Sequence, residues 1–168
     1  MMTASAVPLA TDMTENTLPF FQDAEGIFSM TAEDISTVAE IEANSFTMPW
    51  SLNAFHSTLR CPTTAPFVYR KGGQTVGYAI CSTVFEMAEL YNIAVDIRFR
   101  NEGIGSKLLD FIIQHCKNQG AENLFLEVRR SNESARKLYE KKGFIFDSVR
   151  KNYYKNPVED AILMHLSL

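Results

Sequence analysis

Residues 100–109 read RNEGIGSKLL, two glycines placed where a run of apolar residues begins to recur at helical spacing. Three phosphate loops compete for this stretch. A P-loop needs G-x-x-x-x-G-K-[ST], but Gly103 and Gly105 sit two apart, and Ser106 precedes Lys107. A Rossmann fingerprint needs a third glycine where this chain has Leu108. What remains is R-x-x-G-x-G, from Arg100 through Gly103 to Gly105, a loop whose main-chain N–H groups would cradle a pyrophosphate. A helix N-terminus offers unpaired N–H groups and the positive end of its dipole. Residues without a Cβ let that main chain approach phosphate oxygens closely, and Arg100 or Lys107 would add charge. The plain alternative is a tight strand-to-helix connection with no ligand.

Working outward, residues 88–95 form the strand that feeds this loop. Ile104, Leu108, Leu109, Ile112, Ile113 and Cys116 mark one face of a helix that stops at Gly120. Residues 123–128 alternate as a strand, with Leu124, Leu126 and Val128 on one face and Phe125 and Glu127 on the other. A short helix over 134–142 follows, capped near Ser131 or Asn132 and ended by Gly143. Strands at 144–150 and 161–166 close the chain. Upstream, a strand at 27–30 leads to Thr31, a helix cap, and to a helix carrying Ile35, Val38, Ala39, Glu42 and Phe46. A second helix over 50–59 presents Leu52, Phe55 and Leu59 on one face. Strands at 66–70 and 76–84 are joined by Lys71-Gly72-Gly73-Gln74, a hairpin-type turn. Three successive antiparallel strands argue against a doubly wound nucleotide fold.

The chain has 168 residues, 46% hydrophobic and 11% aromatic, enough for one substantial core. Residues 1–26 lack periodicity and read as a mobile leader, leaving 27–168 as a single domain. Cys61, Cys81 and Cys116 lack ligand or C-x-x-C spacing, and His56, His115 and His165 share no metal-like spacing, so neither a disulfide framework nor a metal site is expected. With no basic, apolar signal segment and no run of 18 apolar residues, the expectation is a soluble cytoplasmic protein without a membrane partner. Residues 1–59 hold eight of the 20 acidic residues and none of the 16 basic ones. The basic remainder suits a phosphate-bearing ligand, and the acidic part suits a basic partner, Glu33, Asp34, Glu40 and Glu42 being candidates to border its site.

Taken together, YNIAVDIRFRNEGIGSKLL, LEVRRSN, ARKLYEKKGF and RKNYY…EDAILMHL resemble the acetyl-CoA-dependent GNAT superfamily of N-acetyltransferases, and within it the bacterial ribosomal-protein-alanine N-acetyltransferases. FTMPWS at 46–51 adds to the likeness, which covers about residues 27–167. The resemblance implies an α/β (α+β) GNAT fold, a mixed, bent sheet of about six to seven strands with flanking helices. It implies acetyl-CoA as co-substrate and no metal. Ile93, Ala94 and Val95 would present main chain to the pantetheine and acetyl carbonyl. Arg100, Asn101, Glu102, Gly103, Ile104, Gly105 and Ser106 would hold the pyrophosphate, and Asn132 would touch CoA. Asn101 stands where close relatives often carry a basic residue, and Arg100 replaces their glutamine.

The reaction implied is direct transfer of acetyl to the N-terminal alanine α-amine of a basic ribosomal protein, without direct nucleic-acid binding. No oligomeric state is implied. An amine must be neutral to attack a thioester, so a base is needed, and thiolate departure is helped by an acid. Glu127 matches the family's base in L-E-V-R, where Phe125 would give it an apolar setting. Tyr139 matches the family's acid in A-x-x-L-Y-E. A small-molecule N-acetyltransferase for a polyamine or antibiotic is the same-fold rival. A non-catalytic acyl-CoA-binding module is the other, and it would need neither Glu127 nor Tyr139.

Overall fold

A computed structural model describes residues 25–168. Of the leader expected over 1–26, residues 1–24 lie outside the described residues, and Gly26 already belongs to the first strand. The strands are β1 (Gly26–Ser29), β2 (Thr64–Lys71), β3 (Gln74–Val84), β4 (Met87–Val95), β5 (Asn123–Arg129), β6 (Ile145–Lys155) and β7 (Val158–Ser167), and the helices are α1 (Ile35–Ser45), α2 (Leu52–Arg60), α3 (Ile104–Asn118) and α4 (Glu133–Lys141). They build one seven-stranded sheet in the order β1-β2-β3-β4-β5-β7-β6. All neighbours are antiparallel except β4 and β5, which run parallel because α3 crosses between them.

Helices cover both faces. On one, Ile104, Leu108, Leu109, Ile112 and Cys116 of α3 are buried against Ala88, Leu90, Leu124 and Leu126, as the 3.6-residue spacing requires. Tyr139 and Leu138 of α4 join that layer. Each such Leu or Ile side chain contributes about 1.5–3 kcal/mol by leaving water. On the other face, Val38 and Ile41 of α1 and Phe55 of α2 pack on Val68, Tyr78, Ile80 and Ala94.

A β-bulge decides which core β4 serves. Ile80 pairs with Asn92 and Cys81 with Leu90, so Tyr91 is the extra residue. Simple alternation puts positions 88, 90, 92 and 94 on one face. The bulge instead sends Ala88 and Leu90 to the α3 side and Ala94 to the α1 side.

The hairpin of Gly72 and Gly73 forms as expected, both with positive φ, and Gly120 and Gly143 end α3 and α4 in the left-handed region. Two expectations need correction. Leu52 is 54% exposed, so of the face expected for α2 only Phe55 is buried and Leu59 packs on the core, with Thr58 buried beside them. Thr58 tolerates burial because its hydroxyl donates to Phe55 O at 2.7 Å. The last two strands are also longer than 144–150 and 161–166. They form one extended hairpin whose register shifts after Phe146 and after Arg150 break the alternation that would reveal it.

Candidate active site

β4 and β5 pair only from Met87↔Asn123 to Leu90↔Leu126. Beyond the bulge they separate, so the edge of β4 over Tyr91–Val95 that faces away from β3 has no strand partner among the described residues, while Ile93, Ala94 and Val95 stay paired to β3 on the other side. Main-chain donors and acceptors at the three expected acetyl-binding positions therefore face an open gap between strands.

The glycine loop stands at the top of that gap. Gly103 is the N-cap of α3 with φ +80, and Asn101 is also left-handed at φ +66. Lys107 N bonds Gly103 O at 3.0 Å, the first main-chain bond of α3, so the N–H groups over 103–106 lead out of the helix. A Cβ on Gly105 would meet only Val95 Cγ2 at 3.8 Å and Leu138 Cδ2 at 3.9 Å, ordinary contacts, so nothing in the fold itself demands glycine there. Open space beside unpaired N–H groups fits a pyrophosphate. The side chains around the loop are committed elsewhere. Arg100 Nε donates to Val95 O at 3.1 Å and Nη2 to Ser45 Oγ at 3.0 Å. Glu102 pairs with Lys71, and Lys107 Nζ donates to Tyr69 Oη at 2.9 Å. Ile104 is buried, so only its main chain faces the loop. What this turn can offer a phosphate is main-chain N–H, and Ser106 is the one hydroxyl in it.

On the opposite face of β5 a groove of about 510 Å³ opens, lined by residues that include Glu89, Tyr91, Phe125, Glu127, Arg150 and Leu163. Glu127 takes part in an ion pair with Arg150. Its setting is therefore not the apolar one expected from Phe125, because β6 lies two strands away in the sheet and returns a guanidinium to it. Burial, and then the Glu127 carboxylate, holds Glu89 above the usual carboxylate range. Arg150 lies 4.9 Å over the Tyr153 ring, Arg129 lies 4.1 Å over Tyr154, and the two tyrosines sit edge to face at 5.1 Å. Trp50 packs on Phe55 at 5.7 Å and on Tyr91 at 6.5 Å, joining the helix layer to the groove.

Tyr139 is buried beside Phe144, and burial pushes its phenol well above the ordinary tyrosine value, so it is fully protonated at neutral pH. Its hydroxyl has no hydrogen-bond partner among the described residues. Asn132 caps α4: its Oδ1 accepts from Ala135 N at 3.2 Å and Ser134 Oγ at 3.1 Å.

The acidic residues expected to border the acceptor do not line this groove. Asp34 is held by Arg70 at 3.0 Å and by the Thr75 hydroxyl at 2.8 Å. Glu33 and Asp34 line a separate polar cleft with Arg70 and Arg98. Glu42 is 1% exposed and accepts from Trp50 N at 2.9 Å, from Asn92 Nδ2 at 3.0 and 3.1 Å, and from the Tyr78 hydroxyl. Burial raises its pKa above the usual carboxylate range. The carboxylates that do line the groove are Glu86, Glu89, Glu127 and Asp147. Sequence reading missed Arg129, Arg150 and Glu89 here, although Arg129 stood in LEVRRSN and Arg150 at the head of RKNYY.

All three cysteines are free, and no group of three or more His, Cys, Asp or Glu able to hold a metal occurs among the described residues. His115 meets Phe67 edge to face and stacks on Phe111, and His165 pairs with Asp147. No described helix is long and apolar enough to cross a membrane.

The model of the acetyltransferase (GNAT) family matches residues 35–144. A ribosomal protein bS18-alanine N-acetyltransferase of Haemophilus influenzae is 39% identical over 144 residues, covering 82% of this chain and 95% of the relative. The crystal structure of the ribosomal-protein-S18-alanine N-acetyltransferase from Escherichia coli superposes with a TM-score of 0.80 at 35% identity, covering 86% of this chain and 94% of that one. Ard1 from Thermoplasma volcanium superposes with a TM-score of 0.79 at 30% identity, covering 86% and 98%.

Proposed function

This chain belongs to the acetyltransferase (GNAT) family, and on that premise we propose that it transfers acetyl from acetyl-CoA to the N-terminal alanine α-amine of a ribosomal protein in the cytoplasm. The observation that carries the reading is a pair of half-sites on the two sides of β5. One is a main-chain cradle at Gly103–Ser106 opening onto the unpaired edge of β4. The other is the groove holding Glu127. The names of the relatives support the acceptor class.

In this mechanism the acceptor amine loses a proton to Glu127, directly or through water, and its lone pair attacks the thioester carbonyl. The C–S bond breaks as the tetrahedral intermediate collapses and its nitrogen releases its second proton to water, while the departing sulfur takes the Tyr139 proton and water restores it. Arg150 pairs with the Glu127 carboxylate and orients it, and burial keeps Tyr139 protonated. An α-amine, with a pKa of about 8, yields its proton more readily than lysine at about 10.4, so turnover is already high near neutral pH. The carboxylates of the groove favour a basic peptide, and kcat/KM falls with added salt.

The test compares acetyl transfer from acetyl-CoA to peptides that start with Ala, Ser or Leu, and to spermidine. The Ala peptide is fastest and Ser is slow but not excluded, since one small polar atom changes discrimination by only about 1–3 kcal/mol. Faster turnover of spermidine than of the Ala peptide moves the chain to the small-molecule reading, and no transfer to any acceptor moves it to a binding module.

A further inference from the structure

The reaction sheds one proton more than Glu127 can take. An α-amine with a pKa of about 8 arrives mostly as the ammonium at neutral pH, and an ammonium loses two protons in becoming an amide nitrogen. Glu127 receives the first, before attack, and is no base for the second while it holds it. Tyr139 is a donor to sulfur and takes neither. The second proton leaves the nitrogen of the tetrahedral intermediate, beside the groove that holds Glu127.

The charged residues lining that groove are Glu86 in the turn between β3 and β4, Glu89 on β4, Glu127 on β5, and Asp147 and Arg150 on β6, while β3 adds Ser82 and β7 adds Leu163 and Met164. Glu127 pairs with Arg150, and Asp147 pairs with His165 of β7. The Glu89 carboxylate has neither an ion pair nor a hydrogen bond among the described residues; the groups acting on it are Glu127 and Arg150. Glu89 pairs with Phe125 across the β4–β5 ladder, and Glu127 stands two residues further along β5 on the same face. That diagonal is about 7–8 Å between main chains, which two glutamate side chains close to within reach of one bridging water. Glu86 lies beyond the end of the ladder at Met87↔Asn123 and so stands farther from Glu127. The bulge at Tyr91 fixes the arrangement, because it leaves Glu89 and Tyr91 both on the groove while Asn92 turns into the core to bond Glu42.

We propose that Glu89 is a second proton acceptor in acetyl transfer: the water that takes the second proton from the intermediate's nitrogen passes it to the Glu89 carboxylate, and the open groove then releases it to solvent. The inference rests on the reading of Glu127 as the first acceptor. An N–H bond breaks, its electron pair stays on nitrogen and an O–H bond forms on Glu89, so the step needs no co-reactant. Burial, and then the Glu127 carboxylate, raises the proton affinity of Glu89, and Arg150 opposes this. Glu89 accepts only when ionised, so its contribution to kcat grows as pH rises through that raised value and is complete near neutral pH.

The experiment uses the full chain, Glu89→Gln and Glu89→Asp, with a peptide that starts with Ala and carries no other charged side chain, so that loss of a groove charge does not alter peptide binding. It reads kcat, KM, acetyl-CoA Kd and Tm across pH and across imidazole concentrations at constant ionic strength. In Glu89→Gln, kcat near neutral pH falls by on the order of tenfold, KM and acetyl-CoA Kd change little, and imidazole restores kcat in proportion to its free base, since a small base in the groove takes the proton instead. The wild type does not respond to imidazole, and Glu89→Asp, which keeps a carboxylate on a shorter stem, retains most of its kcat. A folded Glu89→Gln with the wild-type kcat, or one whose loss imidazole does not restore, overturns the proposal. Should Glu89→Gln not fold, Glu89→Ala takes its place in both readings. Failure of the underlying reading is seen separately, as a wild type that acetylates no peptide or a Glu127→Gln variant with full turnover, and the Glu89 proposal falls with it.

Discussion

The proposed cofactor side and the proposed acceptor side of β5 are built in opposite ways. The cofactor side is one continuous stretch, 92–107, in which a bulged strand runs into a glycine turn and a helix, and its chemistry is main-chain N–H and C=O. The acceptor side is gathered from distant segments: Thr47, Trp50, Glu89, Glu127, Arg129, Arg150 and Asn156 lie on five elements and loops, and its chemistry is side-chain charge. A local site is set by backbone conformation and survives changes elsewhere. A gathered site depends on loops being tied together, so it is the side where a distant substitution alters substrate choice.

The largest effects test where the two sides meet. Glu127→Gln and Tyr139→Phe each lower kcat by on the order of 10²–10⁴ while acetyl-CoA Kd measured by calorimetry barely moves. Tyr139→Phe removes only a hydroxyl without a hydrogen-bond partner among the described residues, so the fold persists, and full turnover in either variant removes that residue from the mechanism.

Next in size is the brace under the acceptor side. Glu42→Ala strands the Trp50 N–H, Asn92 and Tyr78 donors in the core and lowers stability by about 3 kcal/mol in denaturant titration. Glu42→Gln keeps the shape and removes the charge. Because burial raises the Glu42 pKa in the folded state, its favourable contribution is present below the ordinary glutamate value and fades as pH rises through the folded one. Glu42→Gln therefore flattens the pH dependence of Tm in the weakly acidic range, and an unchanged profile would show that Glu42 does not titrate there.

The cofactor side is tested most cleanly at Gly105. Alanine there meets only ordinary contacts and suits a helix better by up to about 1 kcal/mol, so Tm holds or rises. Acetyl-CoA affinity nevertheless falls by on the order of tenfold because the methyl intrudes on the ligand's space. Unchanged affinity would mean that the main chain does not approach phosphate at this turn. Gly103→Val also weakens binding, but with φ +80 it strains the backbone as well, so it separates the two causes less well.

The smallest effect concerns a region that belongs to neither side. Burial alone would raise the Asp34 pKa, but bonds from Thr31 N–H, the Thr75 hydroxyl and Arg70 more than offset it, leaving the pKa low. Its contribution is present above the ordinary aspartate value and is lost as pH falls through the folded one. Asp34→Asn should remove a small acid-side loss of Tm and leave acetyl transfer unchanged.

What the sequence determined by itself is what depends on neighbours along the chain. The periodicity of Ile104 to Cys116, the αL glycines at 103, 120 and 143, and the alternation of Leu124, Leu126 and Val128 each follow from local geometry, and they locate the helices, the phosphate turn and the face on which Glu127 lies. Tertiary structure decided what depends on who arrives from far away. A one-residue bulge at Tyr91, invisible to alternation, sends the two halves of β4 to different cores. The β6–β7 hairpin brings Arg150 onto Glu127 and turns an expected apolar setting into an ion pair. Of the acids expected at the acceptor, Glu42 is drawn instead into the core and Asp34 onto Arg70, because a carboxylate is held where its donors converge, and no spacing along the chain records that convergence.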